Sequence, residues 1–180
     1  MPDALTGEFA FAASGTCLVS ADRFGGKRAW FATGGGAQAR VFATTNGGRT
    51  WRVTATPVPS GPSAGIYSLA FKDPWHGIAV GGDFATPDTA PDGSATSRDG
   101  GRTWVTSAAV PGAYRSGAAW VGLGPVALTV GPTGSDLSYD GGRTWRNFDT
   151  GSFDAVICAP DRSCWASGEL GRVAKLRWGH

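Results

Sequence analysis

Short runs in which apolar and polar residues alternate, each closed by Gly, Pro or Asp, fill nearly the whole chain. "FAFAASGTCLV" (9–19) is followed by "RAWFATGG" (28–35), "ARVFATT" (39–45) and "TWRVTATPV" (50–58). The set returns as "GIYSLAFKD" (65–73), "HGIAVGGDF" (76–84), "SATSRD" (94–99) and "TWVTSAAV" (103–110). A third set is "YRSGAAWVG" (114–122), "VALTVGPT" (126–133), "SDLSYD" (135–140) and "TWRNFDT" (144–150). A fourth holds "FDAVICAPD" (153–161), "SCWASGELG" (163–171) and "RVAKLRWGH" (172–180). Alternation with period two places one side of an extended strand in a core and the other against a second surface. No long stretch carries apolar residues at helical spacing. The pattern therefore predicts an all-β protein of short antiparallel strands.

Three of the sets share one phrase: "TTNGGRTW" (44–51), "SRDGGRTW" (97–104) and "SYDGGRTW" (138–145). Its closing tryptophans, Trp51, Trp104 and Trp145, lie 53 and 41 positions apart. The longer interval contains "ATPDTAPDG" (85–93), which reads as a surface-loop insertion. Without it the period is that of one four-stranded propeller blade, about 40–45 residues. The phrase has a local physical reading. Asp or Asn followed by Gly-Gly makes a tight turn at positive φ, and the acid accepts backbone N–H groups within its own turn. The hydroxyls tie the two arms, and the Trp is expected between neighbouring sheets. Asn46, Asp99 and Asp140 are thus structural residues, Asn46 keeping the turn without the charge.

Composition narrows the partners. The chain has 180 residues, 29 of them Gly, with 17% charged residues and a formal net charge of +2. Nothing in that balance calls for nucleic acid, which needs a clustered basic face. No apolar run of about 18 residues would span a membrane. The N-terminus lacks a basic segment before its apolar stretch and does not read as a signal peptide. The expected compartment is thus periplasmic or extracellular if a leader has been removed, and cytoplasmic otherwise. His76 and His180 lie far apart and the cysteines lack CxxC spacing, so neither a metal nor a cofactor is expected. Cys158 and Cys164 flank a hairpin loop; they would bond in an oxidising compartment and remain half-buried thiols in a reducing one.

The phrases resemble the Asp-box, or BNR, repeat of sialidases and other β-propellers. Together with the Gly-rich second strands "AWFATGGG" (29–36), "HGIAVGG" (76–82) and "CWASGELG" (164–171), they resemble the propeller family of photosystem II assembly and stability factors and its non-photosynthetic bacterial relatives. The resemblance implies one propeller domain over 1–180, with blades near 8–58, 65–110, 114–150 and 153–180, the last incomplete. Complete members have about seven blades, so the chain is expected to be a C-terminal half, and Met1 an internal start, a truncation or an unusual gene boundary. A half ring predicts a homodimer that completes the ring.

Ligands of propellers meet the face of the loops that run from fourth to first strands and from second to third. The polar residues expected there are Tyr67, Asp83, Tyr114, Arg115, Ser116, Asp136 and Glu169, with Arg115 converging on Asp83 or Asp136. Catalysis is poorly supported. The sialidase Arg-Ile-Pro signature is missing, no defined carboxylate pair stands out, and no GxGxxG opens a helix. His76 reads as a turn or packing residue. The function expected is a non-catalytic binding or assembly scaffold for a protein or peptide. The alternative is a glycan-binding or glycoside hydrolase-like propeller, for which Tyr67, Phe84, Tyr114 and Phe153 would be platforms.

Overall fold

The computed structural model describes residues 1–12, 15–20 and 26–177, so His180 lies outside the described residues. The first sheet contains β1 (Leu18–Ser20), β2 (Ala29–Ala32), β3 (Arg40–Thr44) and β4 (Arg52–Ala55). The second contains β5 (Ala64–Phe71), β6 (Gly77–Asp83), β7 (Ser94–Ser97) and β8 (Val105–Thr106). The third contains β9 (Gly117–Trp120), β10 (Ala127–Gly131), β11 (Gly134–Ser138) and β12 (Arg146–Asp149). The fourth contains β13 (Ala155–Cys158), β14 (Cys164–Ser167) and β15 (Val173–Leu176). Every pairing is antiparallel between sequence neighbours, and the first strands of successive sheets lie side by side. Among the described residues the sole helical element is one 3-10 turn, Glu169–Gly171.

The first strand is shorter than the alternation over 9–19 suggested. Gly15 takes φ 72° and ends the extension, leaving Phe9 as an isolated bridge to Gly34; Ala13 and Ser14 lie outside the described residues. The 85–93 insertion is a loop, and it is not idle: the Pro87 carbonyl accepts the Tyr114 N–H at 2.9 Å, so the loop of the second sheet holds the start of the third.

Each repeated phrase closes the third strand onto the fourth. In the second sheet Asp99 Oδ1 accepts the Arg102 and Thr103 N–H groups, both at 2.9 Å, while Oδ2 accepts the Thr103 hydroxyl at 2.6 Å. The Ser97 hydroxyl accepts the Gly101 N–H at 2.8 Å. Asp140 repeats this with Thr144 and Ser138. At position 46 the amide does the same work: its oxygen accepts the Thr50 N–H at 2.9 Å and its nitrogen donates to the Thr50 hydroxyl at 2.8 Å. The paired glycines hold φ between 71° and 83° in all three turns, a region costly for any residue with a Cβ.

The turns also join the sheets. Trp104 is buried in the cluster of Trp30, Ala43, Ile66 and Leu69 between the first and second sheets. Trp145 is buried with Ile78, Val80 and Trp120 between the second and third, its indole N–H donating to Ser94 Oγ at 3.0 Å. Leu128, Val130 and Leu137 meet Phe153, Val156 and Cys164 between the third and fourth. Trp51 departs from the expected burial. It is half-buried, packs edge-on against Phe31 of its own sheet, and donates its indole N–H to its own Gly48 carbonyl at 3.1 Å. Its side of the first sheet faces away from the second.

Cys158 and Cys164 are register partners on β13 and β14 and form a disulfide that closes the hairpin; Cys17 is a free thiol.

Candidate functional site

The starts of β5, β9 and β13 gather at one end of the molecule together with the β2–β3, β6–β7, β10–β11 and β14–β15 connections. Backbones approach closely there. Gly34 bridges Gly65 across two sheets, and a Cβ on Gly34 would stand 2.6 Å from the Ala64 carbonyl oxygen. This rim carries the residues expected to bind ligand, and the structure disposes of them differently from a free polar cluster.

Arg115 and Asp136 do converge, but on each other. Arg115 Nε donates to Asp136 Oδ2 at 2.5 Å, with both side chains 2% exposed. Arg115 Nη1 also donates to the Tyr114 carbonyl and the Thr133 hydroxyl. Asp136 therefore anchors the segment entering β9. Ser116 is buried, and its hydroxyl donates to the Asp154 carbonyl at 2.8 Å. Tyr67 belongs to β5 and not to a loop. It is the unpaired residue of a bulge between Ile66 and Ser68, so its ring turns into the rim and its hydroxyl donates to the Ser63 carbonyl at 2.7 Å. Burial pushes the Tyr67 and Tyr114 phenols well above the usual tyrosine range. Asp83 is half-buried and accepts the Ala85 N–H at 2.9 Å, while Glu169 is exposed at the tip of the β14–β15 connection.

A second buried pair escaped the sequence reading. Arg40, opening β3, donates through Nε to Glu8 Oε1 at 2.8 Å and through Nη2 to Glu8 Oε2 and the Asp3 carbonyl. Burial alone would raise the Glu8 carboxyl; the bonds from Arg40, Thr33 and the Leu5 N–H outweigh it and lower it. In the first sheet the acid lies on the entering segment and the base on the third strand; in the third sheet the signs are exchanged. The same joint is made twice with opposite polarity, a relation no local pattern reveals.

Between the pairs runs a row of aromatic rings. Phe9 meets Phe11 at 4.6 Å, Phe11 stacks on Tyr67 at 4.0 Å, and Tyr67 meets Tyr114 at 4.8 Å and Phe84 at 6.4 Å, centroid to centroid. The middle of the row is buried, while Phe9 and Phe84 are 46% and 54% exposed. Of the platforms expected for a glycan, Tyr67, Tyr114 and Phe153 are buried and Phe84 is open. At the opposite end of the first strands lies a cleft of about 560 Å³, lined by Val19, Leu69, Trp120 and Ile157, in which Lys72 is the one charged side chain among the described residues. The Lys72 ammonium lies over the Trp120 ring at 4.8 Å. Among the described residues no group of three His, Cys, Asp or Glu side chains could hold a metal ion. His76 Nδ1 sits 2.7 Å from Asp73 Oδ2 in a turn whose N–H groups Asp73 also accepts.

No family model and no curated protein matches the sequence. Solved structures do match the fold. YCF48 bound to a D1 peptide superposes with a TM-score of 0.61 at 18% identity, over 96% of this chain and 55% of that one. The GH74 enzyme of Niastella koreensis gives 0.63 at 14% identity, over 89% and 28%. The NanB sialidase of Streptococcus pneumoniae gives 0.53 at 14% identity, over 88% and 26%. The fold is that of a β-propeller, over four blades. The chain spans about half the length of YCF48 and about a quarter of the two larger structures. The chain thus has a β-propeller fold resembling that of YCF48, with three four-stranded blades and one of three strands among the described residues.

Proposed function

We propose that the chain is a non-catalytic binding scaffold whose rim holds a protein or peptide partner by an apolar side chain. The observation that carries this is the aromatic row, buried at its middle and open at Phe9 and Phe84. A row fixed by stacking loses little conformational freedom when a partner docks, which favours affinity. Two of the rim's arginines support the same reading, while a third, Arg172 in the β14–β15 connection, is exposed and lies over the Phe153 ring at 5.9 Å. A sialidase-type site needs free arginines for the sugar carboxylate and an ionisable tyrosine as nucleophile. Arg40 and Arg115 are each neutralised by a buried carboxylate, and the Tyr67 phenol is held neutral by burial. The YCF48 neighbour, seen with a D1 peptide, is a precedent for a propeller that takes a peptide.

The glycan-binding reading retains one observation: exposed Phe84 follows directly on the half-buried Asp83 carboxylate, an aromatic platform beside an acceptor. A parallel screen of apolar-residue peptides and of glycans, with wild-type chain and with Phe9→Ser and Phe84→Ser, separates the two. Peptide capture that falls about ten-fold or more in the variants at unchanged melting temperature supports the scaffold. Glycan retention, or turnover of an aryl glycoside, without peptide capture overturns it.

A further inference from the structure

The first two blade junctions share one rule, and the chain carries both halves of a junction of that kind that the described residues do not make internally. In register, Val19 pairs with Trp30, Ala70 with Ile78, Ala119 with Leu128 and Ile157 with Trp165. Trp30, Ile78, Leu128 and Trp165 are therefore the same second-strand position in the four blades, on the side that faces the following blade. At the first junction Trp30 is 1% exposed and donates its indole N–H to the Gly100 carbonyl of the next blade's turn at 2.9 Å. A Cβ on Gly101 would meet the Trp30 ring at 3.4 Å. At the second junction Ile78 sits against the matching glycine, where a Cβ on Gly142 would be 2.6 Å away. The Gly-Gly turns of the second and third blades thus each rest on that second-strand side chain of the blade before.

Two parts remain unused. Among the described residues the Gly47–Gly48 turn of the first blade has no such side chain against it: a Cβ on Gly48 would meet Trp51 of its own phrase, and Trp51 is half-buried where Trp104 and Trp145 are buried. On the same side Leu18, Phe31, Phe42 and Val53 form one cross-strand row. At the other end the fourth blade presents Trp165, 48% exposed, with Ile157 and Val173 at 72% and 64%. Lys175 lies over the Trp165 ring at 5.3 Å, and the indole N–H has no hydrogen-bond acceptor among the described residues. The fourth blade is the seat and the first blade the turn that fits it.

We propose that two copies of this chain join head to tail, the Gly47–Gly48 turn of each docking on Trp165 of the other, with the Trp165 indole N–H donating to the Gly47 carbonyl as Trp30 donates to Gly100. A two-fold along the channel makes both junctions at once and closes eight sheets into a ring, within the range of about four to eight blades that propellers use. A second copy is favoured as the occupant because both complementary surfaces belong to the same chain. The proposal is independent of what the rim binds.

The test is the solution mass of the full chain by light scattering, across dilution. Wild type is expected at two chains. Trp165→Glu and Ile157→Glu are expected at one chain with wild-type circular dichroism, and Val105→Glu, on the outer strand of the second blade, at two. Should a Glu variant misfold, Trp165→Phe keeps the ring without the N–H; its dimer should dissociate about ten-fold more readily. A one-chain mass for wild type at the highest soluble concentration overturns the proposal. So does a two-chain mass that persists in folded Trp165→Glu, or a Trp165→Phe dimer as tight as wild type.

Discussion

Arg115 and Asp136, 21 residues apart in sequence, meet at 2.5 Å with both side chains 2% exposed. The pair fixes the segment entering β9 to the third strand of the same blade. Removing one partner leaves a buried charge without compensation, which costs about 3–5 kcal/mol. Arg115→Met alone should therefore destabilise the chain by that order in urea unfolding. Arg115→Met with Asp136→Leu should recover most of the loss, because the desolvation cost leaves with both charges. Equal instability of the single and double variants would show that the pair's worth lies elsewhere.

The turn carboxylates make stability depend on acid. Burial raises the Asp99 carboxyl, and the hydrogen bonds from Thr103, Ser97 and the Arg102 N–H outweigh it, leaving it lowered to about 2. Asp140 is lowered by the same balance. A lowered folded value means the unfolded chain takes up protons first, so the stabilisation is complete above about pH 4 and lost as pH falls toward 2. Chemical unfolding from pH 7 to pH 2 should show the decline starting near pH 4. In Asp99→Ala, expected to lose about 1–3 kcal/mol at neutral pH, the decline should be shallower.

Asn46 occupies the corresponding position without charge and satisfies Thr50 through both atoms of its amide. With Asp there, the Thr50 hydroxyl and N–H would donate to a carboxylate, as Thr103 and Thr144 do. Charge-assisted bonds are stronger than neutral ones. Asn46→Asp is expected to raise stability by about 0.5–1 kcal/mol at pH 7 and to give nothing at pH 2. A gain that persisted at pH 2 would assign it to some other cause.

The Cys158–Cys164 bond closes a short hairpin loop, and a loop of that length contributes about 2 kcal/mol through the unfolded chain. Thiol titration of the unfolded, unreduced chain should find one thiol, Cys17, and reduction should expose all three. Cys158→Ser should lower the unfolding midpoint in oxidising buffer. Under reducing conditions that difference should disappear.

How much of this was legible in the chain itself depends on distance. Alternation, the repeated phrase and its Gly-Gly turn act within about ten residues, so residues 44–51, 97–104 and 138–145 announce their hairpins and the four sheets follow from the period. The side-by-side cysteines are legible for the same reason, since a hairpin makes them register partners. Sequence alone does not say whether a polar side chain ends up offered to a ligand or spent on a partner. The sequence places Arg115 near Asp136 but does not say that the two neutralise each other, and the role of Arg40 depends on Glu8, 32 residues away. Tyr67 looked like a loop residue because a one-residue bulge, which re-aims a side chain, leaves no mark in an alternating run. The direction of the blade junctions was also hidden. Trp30, Ile78, Leu128 and Trp165 share an apolar character common to many strand positions, and only the stacking of one sheet on the next makes them a single position. Local turn chemistry is set by neighbours along the chain, whereas pairing and packing are set by neighbours in space, and those only the assembled sheets supply.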